Sequence, residues 1–278
     1  MKIFITGSTG FVGKNLVSYY ESRGHNVYQY KRGEALRESL DNFKPDAIIN
    51  SAAEIYDAEN MFEPNILMVQ TILEYVRECD QWCRLIQIGS SSEYGPTDHA
   101  TAEDTLLKPV DYYQATKGAA TLMCQGWARF FNLPIWIVRP YSVYGPGERP
   151  HRLFPRLYRA FNYNEQMTLF QGYHDFIYID DFVRGIDLVL RHWDLAPGEI
   201  VNFGSGIQTS NFDLYDLWVK VTGNNSAPVA KVAEMSKAFE NNVWVCDITK
   251  SFKLGFECDY PLESGIKDFL LKAKYDRT

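Results

Sequence analysis

Two tyrosines stand side by side in the segment DYYQATKG, residues 111–118, with a lysine just downstream. Residues four apart share one face of a helix, so a helix here places Tyr113 over Lys117 and Tyr112 over Thr116. A lysine ammonium beside a phenol favours the phenolate and lowers a pKa that begins near ~10. Tyr113 is therefore a candidate proton donor or acceptor. In a chain with 18 Tyr, about one Tyr-x-x-x-Lys is expected by chance, so the pair gains its weight from what accompanies it.

A glycine-rich turn follows the first apolar run of the chain. In TGSTGFVG, residues 6–13, Gly7, Gly10 and Gly13 form G-x-x-G-x-x-G between a strand-like run, KIFIT, and a helical one. Gly7 would make the tight turn, Gly10 would let the backbone approach a pyrophosphate, and Gly13 would let the helix pack closely on the strand. The helix N-terminus would face the phosphates. This context predicts a dinucleotide-binding site.

The elements that position these residues alternate in type through the first half of the chain. Strands are predicted at 2–6, 26–30, 46–53, 84–90 and 134–140, and helices at 10–24, 34–42, about 59–80 and about 111–131. Because the strands are apolar throughout, the alternation indicates an α/β fold, a Rossmann-type doubly wound parallel sheet covered on both faces.

The rhythm changes after residue 145, where Pro, Gly and Arg cluster. Short strands at 175–179 and 199–204 and helices near 210–222 and 262–272 predict a smaller, irregular α/β domain. We expect a dinucleotide-binding domain of residues 1–145, with 178–203 returning to it. Residues 146–177 and 204–278 are expected to form the substrate-binding domain, with the ligand between the two.

Composition excludes several classes of function. The net charge of −7 argues against non-specific nucleic-acid binding. No apolar run approaches the ~18 residues of a membrane span, and the start of the chain does not have the pattern of a signal peptide. Five cysteines without scaffold-like spacing suggest reduced thiols and no metal site. We expect a cytoplasmic protein with no membrane or nucleic-acid partner.

The spacing T-G-x-x-G-x-x-G resembles the short-chain dehydrogenase/reductase superfamily, in particular its extended branch that modifies nucleotide sugars. Further landmarks of that branch follow in order: INSAAE (49–54), EPNILMVQTILEYV (63–76), IGSSSEYG (88–95), AEDTLLKPVDYYQATK (102–117), RPYSVYGPG (139–147), HDFIYIDD (174–181) and VNFGSG (201–206). The resemblance implies that Tyr113 and Lys117 are the catalytic pair and that Tyr112 is structural.

The same resemblance implies hydride transfer at a sugar carbon, with Tyr113 as general acid/base and Lys117 also binding the nicotinamide ribose. A strand-end hydroxyl would bind the reacting oxygen; the register places Ser90 there, with Ser91 as the alternative. The predicted cofactor-binding set is Gly7, Thr9, Gly10, Phe11, Val12, Gly13, Lys31, Arg32, Ala52, Ala53, Asn65, Tyr113, Lys117 and Pro140.

The substrate side departs from the branch's pattern. Ser91 and Ser92 replace the Asp and Glu of members that remove water from the sugar, which disfavours a 4,6-dehydratase. The branch's usual Arg and Asn are here His174 and Ser142. Arg149, Arg152, Arg156 and Arg159 could hold a diphosphate or form a solvated helix face. The predicted substrate-binding set is Ser91, Ser92, Ser142, Arg152 and His174.

Lys31 and Arg32 follow the second strand, where NAD-specific domains place an acidic residue. Both can bind a 2′-phosphate, which favours NADP over NAD. The leading interpretation is an NADPH-dependent 4-keto-sugar reductase, with a 4-epimerase that retains NAD as the alternative. A reductase of steroid or flavonoid ketones and a non-enzymatic dinucleotide sensor remain open. The resemblance also implies a homodimer, formed through the helices at about 59–80 and 111–131.

Overall fold

Six parallel strands form the main sheet of the computed structural model, which describes residues 1–80, 82–192, 194–235 and 243–276. The strands are β1 (Lys2–Thr6), β2 (Asn26–Gln29), β3 (Ala47–Asn50), β4 (Arg84–Ile88), β5 (Ile135–Pro140), β6 (Ser142–Tyr144), β7 (Met167–Gln171), β8 (Tyr173–Tyr178), β9 (Ile200–Phe203), β10 (Gln208–Ser210) and β11 (Val229–Met235). The main sheet has the order β2-β1-β3-β4-β5-β9. The predicted doubly wound α/β fold is confirmed.

Helices cover both faces of this sheet. They are α1 (Phe11–Glu21), α2 (Leu36–Phe43), α3 (Met68–Glu78), α4 (Tyr112–Phe131), α5 (Leu153–Tyr163), α6 (Ile179–Arg191), α7 (Asn211–Thr222), α8 (Thr249–Lys253) and α9 (Leu262–Lys272). Side chains alternate along a strand, so Ile3 and Ile5 of β1 join the core on the α1 and α6 face. Phe4 joins the core on the α3 and α4 face. The apolar character of each strand follows from this two-sided burial.

Smaller sheets lie beyond the carboxyl end of β5. Strand β8 pairs in parallel with β6 and antiparallel with β10, and β7 pairs in parallel with β11. The segment after residue 242 returns to the main body, where Thr97 pairs with Val243 and Thr101 pairs with Cys246. These elements lie across from the carboxyl edge of the main sheet. We call the space between them the cleft.

Two predicted elements have different bounds. The helix expected at about 59–80 begins as a short 3-10 turn, Ala58–Asn60, followed by a π-helical turn, Glu63–Leu67, before α3. Pro64 has no backbone N–H to donate, which favours an irregular first turn there. The strand expected at 46–53 ends at Asn50, because Ser51 Oγ and Ala52 N turn to donate to Thr6 O and Thr6 Oγ1, at 2.6 and 3.2 Å.

Several elements were not predicted, including α8 and the strands β6, β7, β10 and β11. Within the described residues, no helix has the length and apolar character needed to cross a membrane.

Candidate active site

The glycine turn between β1 and α1 has the shape that its spacing predicts. Gly7 has a φ of +62°, and a Cβ on it would lie 2.7 Å from Ala52 N. A Cβ on Gly13 would lie 2.0 Å from Gly7 O, so a side chain at either position is excluded. Gly10 is exposed, and a Cβ there would meet only Gly7 O, at 3.2 Å. A pyrophosphate can therefore approach the turn at Gly10, where the amides that begin α1 are uncapped by a side chain. This cradle fits a dinucleotide.

Other predicted cofactor residues surround this turn. Thr9 is exposed, Phe11 and Val12 are half-buried at the start of α1, and Pro140 ends β5. Ala52 and Ala53 follow β3 at the same edge of the sheet and are half-buried. The structure brings these residues together along one side of the cleft.

Lys31 and Arg32 are exposed on the turn that follows β2. The same turn holds one carboxylate, Glu34, which accepts from the Tyr28 hydroxyl at 3.1 Å and lies 3.4 Å from Lys31 N. Ser8 Oγ donates to Tyr30 O at 3.0 Å, which joins this turn to the glycine turn. The turn thus offers two exposed cations and one hydrogen-bonded carboxylate beside the glycine turn.

Asn65 is buried and connects two walls of the site. Its Oδ1 accepts from Glu54 N at 2.9 Å, and its Nδ2 donates to Glu54 O and Thr116 Oγ1, both at 3.0 Å. Thr116 immediately precedes Lys117 on α4. Asn65 therefore fixes the loop after β3 against the catalytic helix.

Ser90 lies beside Tyr113 at the floor of the cleft, and Lys117 follows Tyr113 about one turn further along α4. Helix α4 begins after Asp111, whose Oδ1 accepts from Gln114 N at 2.8 Å, so the side chains of Tyr113 and Lys117 both lie in its first two turns. The Lys117 side chain is 4% exposed, and its Nζ donates to Ile88 O at 2.5 Å. Burial lowers the pKa of Lys117, and the Glu93 charge opposes this shift. Tyr112 is 45% exposed and lies outside this group.

The Tyr113 phenol lies in a buried environment that disfavours its anion. Burial raises the pKa of Tyr113 to about 12, Ser90 acts to lower it, and the Glu93 charge acts to raise it further. This direction differs from the lowering that a neighbouring lysine alone would predict. In the protein by itself, Tyr113 is therefore a neutral phenol at physiological pH.

The side chains of the three consecutive serines, the serine triplet Ser90 to Ser92, point in two directions. Ser90 faces Tyr113 and shares a hydrogen bond with Ser92, with the two Oγ atoms 2.7 Å apart. Ser91 is buried and lines a crevice together with Tyr94, Gly95, Thr97, Thr101, Tyr141, Trp244 and Val245. This arrangement supports Ser90 rather than Ser91 as the hydroxyl beside Tyr113.

On the opposite wall, Ser142, Arg152 and His174 come together. Ser142 Oγ and His174 Nδ1 lie 3.1 Å apart. Burial, with a contribution from Arg152, lowers the pKa of His174 to about 4, so the imidazole is neutral. The Arg152 charge acts on both Tyr113 and His174, so the guanidinium lies near both side chains. Arg152 Nε donates to Glu148 Oε1 at 3.1 Å, and about half of the arginine side chain is exposed to the cleft.

The other arginines of this cluster are engaged elsewhere. Arg156 donates to Thr168 O at 3.1 Å, and Arg159 pairs with Glu165 at 3.0 Å. Arg149 lies over the Tyr56 ring, 5.4 Å from its centroid. Arg152 is thus the member of the predicted arginine face that points towards Tyr113.

Two residues near this site, Tyr56 and Glu93, have no motif of their own that would reveal them in the sequence. Tyr56, on the loop after β3, reaches across the mouth of the cleft, where its hydroxyl lies 3.0 Å from His151 Nε2. Glu93 is completely buried under the catalytic residues and pairs with Arg139. Tyr56 is signalled only by its place just beyond a strand end, and Glu93 by its place inside the serine motif.

Comparison with known proteins finds relatives that match nearly the whole length of the chain. The low-salt glycan biosynthesis protein Agl12 of Haloferax volcanii is 27% identical, with 96% of each chain covered. The uncharacterized UDP-glucose epimerase YtcB of Bacillus subtilis is also 27% identical, with 97% of this chain and 96% of that protein covered. The structure is similar to UDP-glucuronic acid 4-epimerase from Bacillus cereus, solved with UDP-glucuronic acid and NAD, with a TM-score of 0.86, 25% identity and 98% of each chain covered.

The NAD dependent epimerase/dehydratase family matches residues 3–204, which include the glycine turn, the serine triplet and the Tyr113–Lys117 pair. The relatives' fold and the parallel sheet agree with the predicted extended short-chain dehydrogenase/reductase architecture. The chain belongs to the NAD dependent epimerase/dehydratase family. Its activity is of the nucleotide-sugar epimerase, dehydratase or reductase type, with a nicotinamide dinucleotide as cofactor.

Proposed function

We propose that the protein transfers a hydride at C4 of a nucleotide-diphosphate sugar, acting as a 4-keto-sugar reductase. The observation that carries this proposal is the meeting of Ser90, Tyr113 and Lys117 at one end of a cleft whose other end is the glycine turn. A nicotinamide dinucleotide bound in that cradle would supply the hydride. The residues of the chain would bind, orient and protonate the sugar.

Reduction at C4 requires a proton donor beside the reacting oxygen. When a hydride adds to a C4 carbonyl carbon, the carbonyl oxygen gains negative charge and needs one proton. Tyr113, with its pKa of about 12, holds that proton at neutral pH and can deliver it. Ser90 would donate a hydrogen bond to the same oxygen, and the Lys117 ammonium would stabilise the phenolate that remains.

Among the described residues, the serine triplet offers no carboxylate for removing water from the sugar. Ser91 and Ser92 stand where such residues are expected, and the nearby Glu93 is fully buried against Arg139. Both observations support a reductase or epimerase over a 4,6-dehydratase. The presence of all three catalytic groups supports an enzyme over a dinucleotide sensor.

The opposite wall would bind the substrate. Arg152 presents a half-exposed guanidinium, and the neutral Ser142–His174 pair beside it offers donors without a second charge. A guanidinium recognises phosphate oxygens through paired hydrogen bonds. We assign Arg152 to the diphosphate, with Ser91 and Ser92 nearer the sugar.

An epimerase is the second candidate, supported by the similarity to the UDP-glucuronic acid 4-epimerase solved with NAD. Such an enzyme would oxidise and re-reduce the same carbon without releasing its cofactor. NADP binding through Lys31 and Arg32 would instead support the reductase, which must exchange its cofactor at every turnover.

A panel experiment distinguishes these reactions. The purified protein would be incubated with UDP-, dTDP-, GDP- and CDP-linked hexoses and with 4-keto sugars, each with and without NADPH. The proposal expects a 4-keto sugar to be reduced only when NADPH is added. Inversion at C4 without added cofactor would establish the epimerase, and no turnover of any member would contradict both.

We also propose two features of organisation. Residues 1–145 and 178–203 would form the dinucleotide domain, since β9 extends the main sheet beside β5 and α6 packs on α1. Residues 146–177 and 204–278 would form the substrate domain. Leu67 and Leu122 are 45% and 60% exposed near the start of α3 and on α4, which supports a homodimer through these helices. Light scattering should show a dimer at micromolar concentration, and Leu122→Glu should yield a monomer.

A further inference from the structure

A buried carboxylate that the proposed proton transfer does not use lies under the catalytic residues. Glu93 is 0% exposed and sits in the 3-10 turn Ser91–Tyr94, directly after β4. Its Oε1 accepts from Ser90 N at 2.7 Å, and its Oε2 accepts from Arg139 Nε at 2.8 Å. The carboxylate therefore connects the proposed catalytic serine to strand β5.

The contact with Glu93 fixes the conformation of Ser90. Ser90 caps the turn, because its Oγ accepts from Ser92 N at 3.2 Å while Glu93 reaches back to the Ser90 amide. This reciprocal pair of contacts is a capping box, which orders the turn and the backbone of Ser90. Here both the backbone and the hydroxyl of Ser90 are held in place beside Tyr113.

The packing around Glu93 is built to admit it. A Cβ on Gly89 would lie 2.6 Å from Glu93 Oε1 and 3.2 Å from the Arg139 side chain. Only glycine leaves room for the carboxylate at that point. Gly89 and Glu93 therefore form one arrangement, with Gly89 immediately before Ser90 and Glu93 three residues after it.

The charge of Glu93 also balances cations from two elements. Arg139 of β5 is 1% exposed, Lys117 of α4 is 4% exposed, and the charge of each acts on the carboxylate. Burial alone disfavours a charged Lys117, and Glu93 acts in the opposite direction. Without the carboxylate, two buried cations would remain with no anion between them.

We propose that Glu93 is a positioning residue, which holds Ser90 towards Tyr113 and balances the buried Lys117 ammonium. The assignment rests on the proposed function, since it gives Ser90 and Lys117 their catalytic meaning. The competing explanation is that Glu93 is only half of a stabilising ion pair with Arg139.

A double variant separates these roles. Glu93→Met alone leaves Arg139 buried without its partner and should lower stability sharply. In Glu93→Met with Arg139→Met, both charges are gone, so stability should largely return. If Glu93 positions Ser90, kcat of the double variant stays about 10²-fold below that of the parent, while KM and dinucleotide affinity change little. Recovery of kcat along with stability would overturn the proposal.

Glu93→Gln adds a conservative test. Its amide oxygen can still accept from the Ser90 amide, but the charge is lost, so it should recover about tenfold of the kcat lost in the double variant. A Gln variant as impaired as the double variant would show that acceptance from Ser90 contributes nothing, which contradicts the positioning role.

A crystal structure of the double variant tests the positioning without any substrate. Rotation of Ser90 Oγ away from Tyr113 supports the proposal, and a hydroxyl within about 0.5 Å of its parent position contradicts it. If the wild-type protein turns over no member of the nucleotide-sugar panel, the proposed function fails, and this structural result still decides the role of Glu93.

Discussion

Two buried glutamates each hold an arginine, one pair at the floor of the cleft and one at its mouth. In the floor pair, Glu93 and Arg139, the side chains are 0% and 2% exposed. In the mouth pair, Glu148 and Arg152, they are 7% and 48% exposed. Both pairs are within hydrogen-bonding distance, at 2.8 and 3.1 Å. The two pairs differ in how much of each arginine side chain remains accessible to another partner.

Arg139 also donates to the Tyr94 hydroxyl at 2.9 Å and is enclosed by protein. Arg152 donates through Nε to Glu148 and also interacts with Tyr56, yet about half of its side chain is exposed. A closed pair can position its neighbours, whereas an open pair can bind a ligand. We therefore expect changes at the floor to lower the rate of chemistry and changes at the mouth to lower affinity.

The largest effect is expected at Tyr113. Tyr113→Phe removes the hydroxyl that exchanges the proton and keeps the ring, so kcat should fall by about 10²–10⁴-fold, with dinucleotide affinity nearly unchanged. Steady-state kinetics and a nicotinamide fluorescence titration measure the two quantities. Tyr112→Phe is the matched control and should retain most activity, because Tyr112 is exposed. Equal losses in the two variants would mean that the catalytic tyrosine is misassigned.

At the mouth, Arg152→Met should raise the KM for the nucleotide sugar by about 10–100-fold, the value of one or two charge-assisted hydrogen bonds. The effect on kcat should be smaller. Arg156→Met provides the control, since Arg156 donates to Thr168 O outside the cleft. A loss confined to kcat would place Arg152 in the chemistry and would erase the distinction between floor and mouth.

Cofactor choice is expected to depend on the exposed turn after β2. If Lys31 and Arg32 bind a 2′-phosphate, NADPH should bind at least about tenfold tighter than NADH, a difference of ~1.4 kcal/mol. The preference should shrink as salt rises, because the contact is exposed. Lys31→Asp should reverse it, and Lys44→Asp, a charge change on an exposed turn beyond α2, should not. A wild-type preference for NADH would remove this support for the reductase.

The last expected effect concerns the pH dependence of stability. Burial raises the pKa of Glu148 to about 7, with Arg152 opposing, and its Oε2 has no hydrogen-bond partner among the described residues. The folded state therefore holds this proton more tightly than the unfolded state, where the pKa is near ~4.3. Stability contributed by protonated Glu148 is present below about pH 4 and is lost as pH rises towards 7.

Glu148→Gln should consequently lose less stability than the parent between pH 5 and pH 8, by an amount on the order of 2–3 kcal/mol. Thermal melts of both proteins at the two pH values measure this difference. Parallel melting curves would show that Glu148 ionises without cost in the folded protein.

Local patterns in the sequence predicted one side of the site well. The glycine turn spans seven residues, and Tyr113 and Lys117 lie four apart on one helix, so both depend on geometry that short-range spacing determines. The alternation of apolar strands with helices indicated the parallel sheet for the same reason. The break in the helix expected at about 59–80 was visible only as Pro64.

The rest depends on contacts between residues far apart in the chain. Glu93 meets Arg139 across 46 residues, and Tyr56 meets His151 across 95. Neither pair has a spacing that a single sequence reveals. The arginines at 152, 156 and 159 share a helix face in the sequence pattern, yet the fold gives each a different partner.

Single-turnover absorbance at 340 nm tests the central claim, hydride transfer at C4 assisted by Tyr113, most directly. Protein loaded with oxidised dinucleotide would be mixed with each nucleotide sugar of the panel, in protiated form and with deuterium at C4. We expect an absorbance band at 340 nm with at least one sugar. This band should form more slowly with the deuterated sugar and should be absent in Tyr113→Phe. A band of equal rate with both isotopes, or an undiminished band in Tyr113→Phe, would contradict this claim, as would the lack of any band in the loaded wild-type protein.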